Sequence, residues 1–217
     1  MQWLIAVLPL LPPRRFRLAR SARKPPIVVY SDAAYDPGKP GMVGIVIYDP
    51  LDGEHRWRYA SAEVPDEILS KLAVKTTYIG VYEVLAAVAA YTSRPRQVAG
   101  RDVIHFIDNT GALFGLAKGI SRDIDSARLI SVFQTVSAAV GVNVWFEFVA
   151  SGANFADLPS RASFEMLLGE PYCAKRFDVD WPAVGRWQAD AFQHIFFDVA
   201  GKASSLRRRG KKRPRPE

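Results

Sequence analysis

Cysteine is nearly absent, with Cys173 alone among 217 residues. A single thiol cannot close an intrachain disulfide, and a structural zinc site built from cysteines is excluded. A reducing compartment fits this composition. Membrane-length apolar runs are lacking as well. WLIAVLPLL, over residues 3–11, falls far short of the roughly 20 residues that a span needs. It contains Pro9 and has no basic segment in front, which argues against a secretory signal peptide. No membrane partner is expected.

Acid is missing from residues 1–24, which carry six Arg or Lys. It is almost missing from residues 202–217, where eight Arg or Lys face only Glu217. Taking these +6 and +7 away from the net charge of +7 leaves −6 on residues 25–201. A mildly acidic body between two basic arms suggests a polyanionic partner. Arg207, Arg208, Arg209, Lys211, Lys212 and Arg213 are the candidate nucleic-acid contacts. The same run suits a nuclear-import signal or a solubilising tail. The leader at 1–24 reads as the remnant of a preceding domain, with an organelle transit peptide as the alternative. The cytoplasm or the nucleus is favoured, and organelle targeting stays open.

What the chain does have is material for a core. About half of it is hydrophobic (49%) and 12% is aromatic, which excludes a disordered composition. The length suits one domain with extensions. Residues 27–35, 42–50 and 55–64 read as strands joined by short turns at 36–41 and Asp52-Gly53, an antiparallel meander. A short helix is expected over 65–72. A longer one runs to about Thr92, capped by Thr76 or Thr77, and its YIGVYEVLAAVAAY core should be buried. Strands follow at 102–108 and 142–150, and helices at 110–118 and 126–140, stopped by Gly119 and Gly141. A last helix is expected near 154–161. The pattern weakens after about residue 170, where 177–200 reads as one helix or two. The fold class is therefore α/β, a five-stranded mixed sheet of three antiparallel strands and then two parallel ones, flanked by helices. The divisions are a body at 25–170, a helical extension at 171–201 and a disordered basic tail at 202–217.

Four acids fall where a metal site can form. Asp32 and Asp108 end strands, where open α/β sheets bind ligands. Glu83 lies inside an apolar helix, costly unless paired or metal-bound. Asp157 begins a helix, where it could also be a cap. Four carboxylates converging within about 4–8 Å would repel one another unless cations held them, and two divalent ions about 4 Å apart can hydrolyse a phosphodiester. His105 alternates within its strand and reads as a satisfied core histidine.

Those residues carry a resemblance. VVYSDAAYD with GMVGIVIYD, TTYIGVYEVLAAVAAY, VIHFIDNTGAL and FVASGANFADLPSR resemble the RNase H domains attached to reverse transcriptases, most of all those of DIRS-like and gypsy-type retroelements. It covers about residues 25–165, and IDNTGAL and NFADLPSR are its most specific pieces. It implies an RNase H-like fold and a metal-dependent endonuclease acting on the RNA strand of an RNA–DNA hybrid, read by minor-groove shape and 2′-OH contacts. It implies two Mg2+ ions, with Mn2+ as a substitute. Asp32 would bridge them, Glu83 and Asp108 would hold the ion near the leaving group, and Asp157 the ion that activates water. Asn109, Ser151 and Asn154 would be auxiliary polar residues. A reverse transcriptase domain of the parent polyprotein is the implied protein partner. The sequence departs from many relatives in one respect. The loop before the last aspartate, ASGANFAD (150–157), lacks their mobile histidine. A non-catalytic module that binds hybrid or scaffolds a polymerase is the competing function.

Overall fold

Alternating side chains build the centre of the sheet. In β1 (Ile27–Ala34), Ile27 and Val29 are fully buried while Val28 and Tyr30 are half-buried, the two-residue period of a strand covered unequally on its faces. β2 (Met42–Tyr48) and β3 (Trp57–Glu63) continue the meander, each pairing antiparallel with its predecessor. β4 (Asp102–Ile107) pairs parallel with β1, and β5 (Asn143–Phe148) parallel with β4. The structure, a computed structural model, describes residues 24–36 and 38–185.

The sheet order is β5-β4-β1-β2-β3-β6. The expected mixed topology holds, with a sixth strand in place of five. That strand is β6 (Lys175–Arg176), which pairs parallel with β3. It falls in the extension expected to be helical. Two residues are too few for a period, so only pairing with β3 reveals them as a strand. Of the helices expected over 177–200, the described part contains α8 (Trp181–Val184). The remainder of that stretch, the leader and the basic tail lie outside the described residues.

Helices cover one face of the sheet. After the short α1 (Asp66–Leu69) comes α2 (Ile79–Ser93), buried continuously from Val81 to Thr92. It lies between the sheet and α5 (Ile124–Val140). Each Val or Leu so buried contributes about 1.5–3 kcal/mol of transfer free energy. Tyr78, not Thr76 or Thr77, occupies its N-cap position, and Thr77 Oγ1 accepts a long bond (3.4 Å) from the Ile79 amide. Around α2 lie α3 (Pro95–Val98) and α4 (Thr110–Lys118). Asn109 and Asp123 cap α4 and α5 with side-chain oxygens. Gly119 and Gly141 end them at φ 74° and 66°, a left-handed conformation that glycine reaches without strain. Opposite, α6 (Asp157–Ser160) and α7 (Glu165–Leu168) close a smaller cluster around Val46, Tyr59 and Leu167. Among the described residues no helix is long and apolar enough to cross a membrane.

Candidate metal centre

β1 and β4 run parallel, so their C-terminal ends open on the same edge. Tyr30 pairs with Phe106, and two residues further along the strands come Asp32 and Asp108. Glu83 enters from α2, which packs across β1 and β2. One carboxylate oxygen from each of Asp32, Glu83 and Asp108 lies within 4.8 Å of the other two. Asp32 and Glu83 are 5% exposed. No ion pair joins the three to a described lysine or arginine.

Two buried oxygens here, Glu83 Oε2 and Asp108 Oδ1, have no hydrogen-bond partner among the described residues. An orphaned buried carboxylate oxygen forfeits its hydration with nothing in exchange. The electrostatics follow. Burial, and then the charges of Asp32 and Asp108, push the Glu83 carboxyl up to about 9, against a weaker downward pull from the Ala33 amide. Burial also raises Asp32 to about 6; the Ser160 hydroxyl pulls it down while Asp108 and Asp157 push it up. Without a cation Glu83 therefore retains its proton near neutral pH. A divalent cation reverses every one of these repulsions. Hard oxygen donors with unused lone pairs suit Mg2+ or Mn2+, which coordinate oxygen and keep several waters. The residues present fit such an ion.

Asp157 stands beside the cluster and outside it. Its Oδ1 accepts from Arg161 Nε at 2.6 Å, one helical turn on, and its side chain is 36% exposed. Its charge still reaches Asp32. Three of the four expected carboxylates thus form the tight group, and the fourth holds a cation of its own. Asn109 spends its oxygen capping α4, accepting from the Ala112 amide at 3.0 Å. Ser151 is exposed in the 3-10 turn Ser151–Ala153. Asn154 is buried; it donates to Ser31 O at 3.2 Å and accepts from the Ala156 amide at 3.1 Å, tying the loop before Asp157 to β1. His105 is the core histidine expected, with the Tyr91 hydroxyl 3.0 Å from Nδ1 and the Ser31 hydroxyl 2.9 Å from Nε2. Burial lowers it to about 3, so it stays neutral.

No protein-family model matches the chain, and no curated protein matches it. Among solved structures it is similar to RNase H1 from the halophilic archaeon Halobacterium salinarum NRC-1, with 15% identity and a TM-score of 0.44 over 65% of this chain and 99% of that one. It is also similar to LC11-RNase H1, isolated from compost by a metagenomic approach, with 13% identity and a TM-score of 0.46 over 66% and 99%. A structure of LC11-RNase H1 in complex with an RNA/DNA hybrid gives 13% and 0.41, again over 66% and 99%. The chain's own strand order shows a mixed α/β sheet flanked by helices. At these identities the likeness concerns the path of the chain and says nothing of its chemistry.

One residue at the site escaped sequence reasoning. Ser160 Oγ donates to Asp32 Oδ2 at 2.5 Å. Its place in the LPSR segment, three residues after Asp157, was the available signal. Nothing local pointed it toward a residue 128 positions away.

Proposed function

We propose that this chain is a divalent-metal-dependent endonuclease that hydrolyses the RNA strand of RNA–DNA hybrids, derived from the RNase H domain of a retroelement reverse transcriptase. The observation that carries this reading is the trio of Asp32, Glu83 and Asp108, joined by no ion pair to a described lysine or arginine and with two buried oxygens lacking a hydrogen-bond partner among the described residues. The NFADLPSR and IDNTGAL segments support the retroelement origin. The catalytic unit is residues 25–170, with 171–201 as its extension and 1–24 and 202–217 as basic arms.

Two bound Mg2+ ions, or Mn2+, would supply an activated water and charge stabilisation for the leaving oxygen. The chain's own contribution is placement. Asp32 would hold both ions, Glu83 and Asp108 the one near the leaving group. Asp157, which accepts from Arg161, would hold the one that activates water. Asn154 anchors the loop that carries Asp157.

The test is cleavage of an internally labelled hybrid with Mg2+ or Mn2+, comparing the full chain with Asp108→Asn. Internal cuts by the parent and none by the variant are expected. Cuts that require a strand end would indicate an exonuclease. A folded protein that binds hybrid without cutting it would indicate the non-catalytic module. For the arms, deleting 202–217 is expected to weaken hybrid binding and flatten its salt dependence, because each phosphate contact adds to that slope. An unchanged slope would leave Arg207, Arg208, Arg209, Lys211, Lys212 and Arg213 as a targeting or solubilising run.

A further inference from the structure

The short α6 approaches the sheet closely, and a glycine permits it. Asp32 pairs with Gly44 across β1 and β2. A Cβ on Gly44 would lie 2.3 Å from Ala156 O and 2.5 Å from Ser160 N. Both are backbone atoms, so any larger residue would force α6 away from β2. With glycine present, Ser160 is 1% exposed and its hydroxyl meets the Asp32 carboxylate at 2.5 Å. The same hydroxyl lies 3.1 Å from Asp157 O within its own helix turn. A single hydroxyl proton favours the charged and nearer acceptor. Asn154 fastens the other end of this segment to Ser31 O, the residue before Asp32.

We propose that Ser160 is a positioning residue for the metal centre: its hydroxyl fixes the rotation of the Asp32 carboxylate so that it faces Glu83 and Asp108, and Gly44 is the gap that lets it reach. This rests on the metal reading above. Hydrogen bonds to ligating carboxylates orient the ligand before the ion arrives, and their loss weakens metal binding by about 10–100-fold. A serine that only packed α6 against the sheet would leave metal affinity unchanged.

The experiment is Mn2+ binding to the full chain, by calorimetry or by the loss of the free-ion electron paramagnetic resonance signal. Ser160→Ala, which keeps the packing and removes the hydroxyl, is expected to raise the Mn2+ Kd about tenfold. Ser163→Ala, an exposed serine bonded to Glu165, is expected to leave it unchanged. Gly44→Ala is expected to weaken Mn2+ at least as much, because displacing α6 moves Asp157 as well as Ser160, and adding Ser160→Ala to it to do little more, because the hydroxyl contact is already lost. In hybrid cleavage the Ser160→Ala rate at limiting Mn2+ falls about tenfold and recovers at saturating Mn2+, with KM for hybrid unmoved. An Mn2+ Kd for Ser160→Ala within about twofold of wild type, or full additivity with Gly44→Ala, overturns the proposal. Wild-type protein that binds no Mn2+ overturns both it and the metal reading. Wild-type protein that binds Mn2+ tightly but never cuts hybrid, with Ser160→Ala still weakened, sinks the nuclease reading and leaves the role of Ser160 standing.

Discussion

Two groups of acids meet in this molecule, and they are solved in opposite ways. Near the start of α5, Asp125 is fully buried, accepts from the Ala73 amide at 3.0 Å, and pairs with Lys75 at 3.0 Å and Arg128 at 3.3 Å. Its neighbour Asp123 is bonded by Lys75 and by the Ser126 amide at 2.8 Å. Burial pushes the Asp123 carboxyl up, and those bonds outweigh it, holding the carboxyl below its usual range. At the strand ends, Asp32, Glu83 and Asp108 lie within 4.8 Å of one another and form no ion pair with a described lysine or arginine. The first group is complete, and it fastens the segment before α2 to α5. The second lacks ion pairs and leaves two buried oxygens without a hydrogen-bond partner among the described residues. A buried carboxylate advertises function by the partners it lacks.

The largest expected effect separates the two groups through activity. Asp108→Asn is nearly isosteric and removes the charge that holds a divalent ion, so hybrid cleavage should fall by about a thousandfold or more while the fold survives. Asn109 and not Asp108 caps α4, so wild-type cleavage by a folded Asp108→Asn protein would remove Asp108 from the catalytic machinery. Asp125→Asn should do the reverse. It should lower unfolding free energy by about 2–3 kcal/mol, because it removes a charged acceptor from several buried donors, and leave the cleavage of the remaining folded protein unchanged. Equal stability in urea titrations of the two proteins would erase the contrast.

Next in size is a pH effect confined to the metal-free site. The unfolded chain releases the Asp32 and Glu83 protons near their ordinary values of 3.8 and 4.5, whereas the folded chain holds them to about 6 and 9. Stability from these groups is therefore full at low pH and falls as pH rises between about 4 and 9, by up to about 1.4 kcal/mol per pH unit for each proton of difference. In chelator, the melting temperature should drop from pH 5 to pH 8. Saturating Mg2+ should raise it most at pH 8, and Glu83→Gln should flatten the chelator profile. A chelator profile already flat for the wild type would mean that the site is not short of charge.

The smallest expected effect turns the complete group into an incomplete one. Lys75→Met leaves Asp123 and Asp125 with fewer donors, so thermal unfolding should shift down by a few degrees at pH 7, and by less once the pH falls below the ordinary aspartate value of 3.8, where Asp123 protonates. No shift at either pH would show that Arg128 and the amides already satisfy Asp125.

Much of this was legible from local pattern. The meander, the buried run of α2 and the glycine stops of α4 and α5 all follow from periodicity and turn chemistry acting within a few residues. Glu83 was legible for the same reason, as a lone acid among apolar neighbours. The cap of α2 was misplaced by one or two residues, since Thr76, Thr77 and Tyr78 compete over one turn and packing chooses between them. Asn109, expected as an auxiliary residue, caps α4 through its bond from the Ala112 amide.

By itself the sequence determined which side chains are available, and at which strand ends and helix positions they stand: Asp32 and Asp108 closing apolar strands, Glu83 inside an apolar helix, Asp157 opening a helix. Tertiary structure decided what each of them meets. It brought Asp32, Glu83 and Asp108 together with no ion pair to a described lysine or arginine, and gave Asp157 to Arg161. It set Ser160 against Asp32 through the gap at Gly44, and added β6 to the sheet. These outcomes depend on the close approach of segments as many as 128 residues apart. Local propensity carries no information at that range, because hydrogen bonds and repulsions of this kind exist only once the sheet register has brought the atoms together.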